Sequence, residues 1–142
     1  MDSIDYDIIK WLQKNARISI KSLGEKVGLS APAVADRIKK LEKNEVIKGY
    51  KAIINEEKLG KSVKAFIQVS INSSYREDFN DFIRKEKDII ECYHVTGSCC
   101  MLLKCYCNNI KDLNKLDEKI QNFGNADTSM VLSTSLKKNI FN

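Results

Sequence analysis

The chain has 142 residues, enough for one ordinary domain or two small lobes, each near the size at which a single core stops being self-sufficient. Hydrophobic residues make up 43% and charged residues 30%, which excludes a disordered chain, and the longest uncharged run, Cys92 to Leu103, is twelve residues where a membrane span needs about twenty. The net charge of +5 is concentrated in residues 1–61, which hold 13 Lys and Arg against 9 Asp and Glu, a bias that admits an anionic partner without requiring one.

Ile4, Ile8, Trp11 and Leu12 recur at helical spacing behind Asp2 and Ser3, either of which can cap a first helix ending near Asn15. Ser19 precedes Ile20, Leu23 and Val27, a short second helix stopped by Gly28, whose missing β-carbon suits a left-handed residue after a helix. Ser30 is placed to cap a third helix. Pro32 falls in its first turn, and Val34, Ile38 and Leu41 line one face at i, i+4 and i+7. Only Gly28, Leu29 and Ser30 separate the second and third helices, a turn suited to a bent helix pair. VIKGYKAII (46–54), rich in β-branched residues and broken by Gly49, predicts a short hairpin or wing, and the polar NEEKLGKS (55–62) predicts a connection between lobes.

The second lobe starts with strand chemistry in VKAFIQVSI (63–71). Next comes YREDFNDFIRKE (75–86), with Phe79, Phe82 and Ile83 on one helical face. IIECYHV (89–95) and CCMLLKCYC (99–107) predict two strands joined by Thr96, Gly97 and Ser98; NIKDLNKLDEKIQNF predicts a helix with Ile110, Leu113, Leu116, Asp117 and Ile120 about its apolar side; SMVLSTSL (129–136) predicts the last strand. The order β-α-β-β-α-β is a ferredoxin-like split unit with both helices on one sheet face. Its other face is expected to be covered by a second copy of the chain.

With Val34, Ile38 and Leu41 inward, the third helix leaves Ala31, Pro32, Ala33, Ala35, Asp36, Arg37, Lys39 and Lys40 around its outer side. A lysine-rich face of this kind is either simply solvated or enters a DNA groove; in the second case the small side chains permit close approach, alanine methyls can touch thymine methyls, and Arg37 can fork onto a guanine edge. Lys39, Lys40, Lys43, Lys48 and Lys51 suit phosphates, as do the free N–H groups and the Ser30 hydroxyl at the helix start. With few polar groups near the bases, modest sequence specificity is expected.

Over its whole length the chain resembles the Lrp/AsnC (feast/famine) family of bacterial and archaeal transcription regulators. The matching stretches are IDYDIIKWLQKNARIS (4–19), LGEKVGLS (23–30), ADRIKKLEKNEVIKGYKA (35–52) and CYHVTG (92–97). The resemblance implies an α+β chain: a winged helix-turn-helix in residues 1–61, linker included, joined to a ferredoxin-like βαββαβ (RAM-type) effector and oligomerisation domain in residues 62–142. It implies a regulator that binds double-stranded DNA as a homo-oligomer, its dimers assembling into tetramers or octamers. The family's helix-turn-helix maps onto roughly Ser22 to Leu41, with recognition contacts carried to Ser30, Ala31, Pro32, Ala33, Asp36, Arg37 and Lys40.

Two departures stand out. Where the family usually has glycine before the Val-Ile of its wing, this chain has Glu45, and Asn44 is expected to take the left-handed cap instead. Family members that sense amino acids carry Gly-Asp-aromatic-Asp at an effector turn, which here is Gly97-Ser98-Cys99-Cys100. Without either acid, a ligand ammonium loses a charged hydrogen bond of about 1.5–3 kcal/mol, so weak or no response to free amino acids is expected.

The five cysteines (Cys92, Cys99, Cys100, Cys105, Cys107) lie within sixteen residues, without paired zinc-site spacing or the spread of a disulfide framework. Core cysteines are the expectation, and the alternative is a thiol-responsive regulator acting through Cys99 and Cys100. A metal site would need the lone His94 with those thiols; no metal, no cofactor and no enzyme activity are expected. The other alternative is a nucleoid-like protein that wraps DNA with little sequence choice. MDSIDYDIIK has no basic leader, so a cytoplasmic, nucleoid-associated location without a membrane partner is expected.

Overall fold

The computed structural model describes residues 1–140, which form two compact units: residues 1–53 together with residues 136–140, and Ile54–Ser135.

The first unit is built on α1 (Ser3–Lys14), α2 (Ile20–Val27) and α3 (Ala31–Lys43). Asp2 caps α1 reciprocally with Asp5: the Asp5 N–H donates to Asp2 Oδ1 and the Asp2 N–H to Asp5 Oδ2, both at 3.0 Å. Ser19 caps α2 through the Ser22 N–H at 3.1 Å, and Gly28 ends it in the left-handed conformation at φ 70°. Gly24 is needed for a different reason. A β-carbon there would lie 2.5 Å from the Leu29 carbonyl oxygen, so the turn closes only because position 24 has no side chain. Ile8, Ile9, Leu23, Val34, Ile38 and Leu41 form the buried core. Trp11 packs at its margin with the Lys26 ammonium 4.1 Å from the ring centroid.

The end of α3 corrects one expectation. Asn44 stays at φ −87°, and Glu45 is the left-handed residue, at φ 55°. The hydrogen bonds require this: the Val46 N–H donates to the Leu41 carbonyl at 2.9 Å and the Glu45 N–H to the Glu42 carbonyl at 3.0 Å, the paired bonds of a Schellman ending, whose left-handed position falls on residue 45. The hairpin expected in 46–54 is not formed. That stretch is an extended run with no ladder partner among the described residues, and Ile53 is 87% exposed. Strand-prone composition makes a strand only where a second backbone is alongside. The expected connection carries a 3-10 turn, Glu57–Leu59.

The second unit contains β1 (Val63–Ile71), α4 (Arg76–Lys85), β2 (Ile89–His94), β3 (Met101–Cys107), α5 (Ile110–Gln121) and β4 (Gly124–Met130). Its antiparallel sheet runs β2-β3-β1-β4, as the ferredoxin-like order demands. Val63, Ala65, Ile67 and Val69 of β1 and Met101, Leu103, Cys105 and Cys107 of β3 meet Phe79 of α4 and Leu113, Leu116 and Ile120 of α5 in one buried core. Phe123 closes one side, 5.5 Å from the Phe79 ring centroid and 5.2 Å from that of Phe82.

Alternation leaves Lys64, Phe66, Gln68, Tyr93, Leu102, Lys104 and Tyr106 on the opposite sheet face. The last strand lies five residues earlier than its composition indicated. β4 pairs Gly124 with Ile71 and Met130 with Ala65; the Val131 N–H reaches the Lys64 carbonyl at 2.8 Å, and β1 begins one residue before that. The MVLSTSL stretch therefore mostly runs past the edge of its partner. Residues 136–140 belong with the first unit, where Asn139 donates to the Gln13 carbonyl at 3.2 Å.

Candidate nucleic-acid interface

The outer face of α3 begins at its cap. The Ala33 N–H donates to the Ser30 hydroxyl oxygen at 3.4 Å and the Val34 N–H to the Ser30 carbonyl at 3.0 Å, so Ser30 starts the helix as its side chain predicts. Ala31, Ala33 and Ala35 are half-buried, and Pro32, Asp36, Lys39 and Lys40 are exposed. These side chains form one continuous surface because Val34, Ile38 and Leu41 hold the opposite side of the helix in the core.

Arg37 is placed differently. It lies three residues after Val34 and four before Leu41, on the flank of the buried stripe. Its guanidinium turns toward the start of α1, where Nη1 donates to Asp2 Oδ1 at 2.9 Å, Asp2 Oδ2 at 2.8 Å and Asp5 Oδ1 at 2.8 Å. The side chain is 29% exposed and that of Asp5 14%. The Arg37 hydrogen bond and the Asp5 N–H hold the Asp2 carboxyl below its ordinary range, and the Asp2 N–H followed by Arg37 does the same for Asp5. Hydrogen bonds to Asp5 and Asp2 raise Arg37 in turn. Sequence reasoning missed this cluster, although its signals were present: two acids in the first turn of one helix and an arginine beside, rather than opposite, the core stripe of another.

Lys48 and Lys51 lie on the extended run after α3, exposed, at the rim of an open cavity of about 530 Å³. Ile9, Leu12, Ile47 and Ile53 supply its apolar lining, and Lys14 and Arg17 add further positive charge. Tyr50 fixes this run to the helix by donating to Glu42 Oε1 at 2.9 Å. Burial, then Glu42, pushes its hydroxyl up to about 12, so it remains a donor. Nothing in the sequence spacing marked that pair.

The turn at Gly97–Cys100 is stitched to the sheet. Gly97 sits at φ 117°, and the Ser70 hydroxyl donates to the Ser98 carbonyl at 3.2 Å. The Cys100 thiol donates to the Val69 carbonyl and accepts the Ile71 N–H, both at 3.4 Å, while the Cys100 N–H bonds Val69 at 3.2 Å. Cys99 is half-buried. Desolvation pushes the Cys105 thiol up to about 12 and Cys107 to about 11, and raises Cys92, so these act as small hydrophobes. Among the described residues no three His, Cys, Asp or Glu side chains converge as a metal site, and His94 Nε2 lies 3.4 Å from Arg76 Nη2. Among them, too, no helix is long and apolar enough to cross a membrane.

Comparison with known proteins gives these features a context. Residues 1–42 match the AsnC-type helix-turn-helix domain, and residues 64–140 match the Lrp/AsnC ligand binding domain. The HTH-type transcriptional regulator LrpB of Bacillus subtilis is 39% identical over 125 residues, covering 88% of this chain and 84% of that protein. LrpA of the same organism is 36% identical over 133 residues, 93% of this chain and 98% of its own. The structure of Bacillus subtilis LrpC superposes with a TM-score of 0.92 at 29% identity, covering 97% and 99% of the two chains. A Neisseria meningitidis transcriptional regulator in complex with L-methionine gives 0.89 at 30% identity, covering 99% and 95%. With both of its units matched in order, the chain belongs to the Lrp/AsnC family of helix-turn-helix, DNA-binding transcriptional regulators.

Proposed function

We propose that α3 enters the major groove, with Ser30, Ala31, Pro32, Ala33 and Asp36 nearest the bases and Lys39, Lys40, Lys48 and Lys51 on phosphates. The observation carrying this reading is the exposed face Pro32, Asp36, Lys39 and Lys40 beside a capped helix start, with Tyr50 holding the lysine-bearing run to the same helix. Asp36 is the polar side chain suited to a base edge, where it accepts from a cytosine amino group. Lysines outnumber such groups, so charge supplies most of the affinity.

Residues 1–61 serve as the DNA-binding part and residues 62–142 as the effector and oligomerisation part. The chain works as a homo-oligomer: Phe66, Leu102, Tyr93 and Tyr106 on the open sheet face support a second copy as its cover, and paired reading heads would multiply a weak single-site affinity. Sedimentation as a monomer at micromolar concentration would remove that part of the proposal. The turn at Gly97–Cys100 offers no carboxylate to a ligand ammonium, which supports weak or no response to free amino acids, in contrast to the relative solved with L-methionine. A role without catalysis, on the nucleoid in the cytoplasm, agrees with relatives that are transcriptional regulators.

A gel shift on the protein's own promoter region, across salt and with and without an amino-acid pool, tests the reading. Affinity should fall steeply with salt and be indifferent to the pool. Binding independent of salt would refute the phosphate assignments, and a sharp shift with millimolar leucine, phenylalanine or asparagine would refute the effector assignment.

A further inference from the structure

Resting on the DNA-binding reading above, we infer that Arg37 is a positioning residue that sets the recognition helix against the start of α1, and not a side chain that reads a base or neutralises a phosphate. The argument starts from the hydrogen-bond count at its two acids. Asp2 Oδ1 accepts from the Asp5 N–H and from Arg37; Asp2 Oδ2 accepts from Arg37; Asp5 Oδ1 accepts from Arg37; Asp5 Oδ2 accepts from the Asp2 N–H. Every carboxylate oxygen of the capping box therefore has a donor. The box that begins α1 is also the acceptor that fixes α3.

Charge leads to the same assignment. One guanidinium lies against two carboxylates at 2.8 Å, so these three side chains together sum to −1 and leave Arg37 no uncompensated positive charge to offer a phosphate. Drawing Arg37 onto a guanine edge would break three hydrogen bonds and leave Asp2 and Asp5 facing the duplex. Lys40, also lining the concavity by these residues, is exposed and forms no salt bridge among those described, which leaves it available as a phosphate partner.

A positioning arginine and a reading arginine differ in their effect on DNA binding. For the first, Arg37→Ala and Asp5→Asn each weaken operator affinity about fivefold or more. The double variant is no worse than the single ones, because both remove one clamp. For the second, Asp5→Asn loosens the hold on the guanidinium, leaving only Asp2 as its charged partner, and leaves affinity unchanged or improves it. The salt slope separates them further: Arg37→Ala should keep the parent's slope, while Lys40→Ala lowers it by about one.

The experiment is a gel-shift titration of full-length parent, Arg37→Ala, Arg37→Gln, Asp5→Asn, Arg37→Ala/Asp5→Asn and Lys40→Ala at four salt concentrations. Base preference is read by selection from a randomised operator, and folding is checked by Trp11 fluorescence. Unchanged slope and base preference with non-additive losses support the inference. A slope reduced by about one, or a guanine preference lost in Arg37→Ala, would overturn it. So would a fall in thermal stability with no change in DNA affinity, which would make the clamp only a staple. Should Arg37→Ala fail to fold, Arg37→Gln and Asp5→Asn carry the same comparison. A parent that binds no duplex at any salt would instead refute the DNA-binding reading itself, and Lys40→Ala reports on that reading separately.

Discussion

Glu45 is the one described residue other than glycine with positive φ, and replacing it tests the account of how α3 ends. The Val46 and Glu45 N–H bonds to Leu41 and Glu42 require a left-handed residue at 45, which the chain fills with an L-amino acid. That conformation costs a side chain with a β-carbon about 1–2 kcal/mol. Glycine removes this cost but loses about 0.4–1 kcal/mol by making the unfolded chain more flexible. Removing a carboxylate from the negative end of a helix returns about 0.3 kcal/mol or more. Glu45→Gly should therefore stabilise the first unit by about 1 kcal/mol, raising its midpoint by about 4–8 °C. The chain's single tryptophan, Trp11, lies in that unit, so its fluorescence in a thermal or guanidinium melt reports this transition separately. Glu45→Ala is the control, since it removes the charge but keeps the β-carbon and should gain only the charge part. If alanine stabilised as much as glycine, or glycine not at all, the left-handed Schellman reading would be wrong.

Gly24→Ala places a β-carbon 2.5 Å from the Leu29 carbonyl, and the tight turn should yield at a cost of about 1–3 kcal/mol in the same Trp11 melt; a neutral result would show that the turn has slack. The clamp on Arg37 predicts an acid limit. Asp2 and Asp5 are held below their ordinary 3.8, so their contribution is complete above about pH 5 and is lost as pH falls through those lowered values. The stability difference between parent and Arg37→Ala should thus be constant between about pH 5 and pH 7 and shrink progressively as pH falls below about 4 and through the lowered values. Thiol labelling should separate the cysteines: in folded protein at neutral pH, Cys99 reacts with iodoacetamide before Cys105 and Cys107, whose thiols are held at about 12 and 11, and equal rates would contradict their burial.

The three N-terminal helices were legible because their signals are local. Ser19 and Ser30 cap within their own turns, Gly28 stops a helix through its own φ, and the i, i+4, i+7 spacing of Val34, Ile38 and Leu41 defines a buried face before any partner is known. The same holds for β1, α4, β2, β3 and α5, where alternation or helical period is strong. The family followed from residues in matching order over both halves, and the comparisons agree with it.

What the sequence could not decide were features whose partner is distant along the chain. GNADTSM has poor strand chemistry and is β4 only because β1 offers a free edge in register; the better strand sequence after it lies beyond the end of β1, and VIKGYKAII has no backbone to pair with among the described residues. Arg37 is a basic residue on the outer side of α3 in a linear reading, yet residues 35 and 32 positions away capture its guanidinium. Composition and period determined which segments form helices and strands and which helix faces the core. Tertiary structure decided which strand-prone segment finds an edge and which charge stays on the surface, because both depend on geometry between segments that local propensity does not encode.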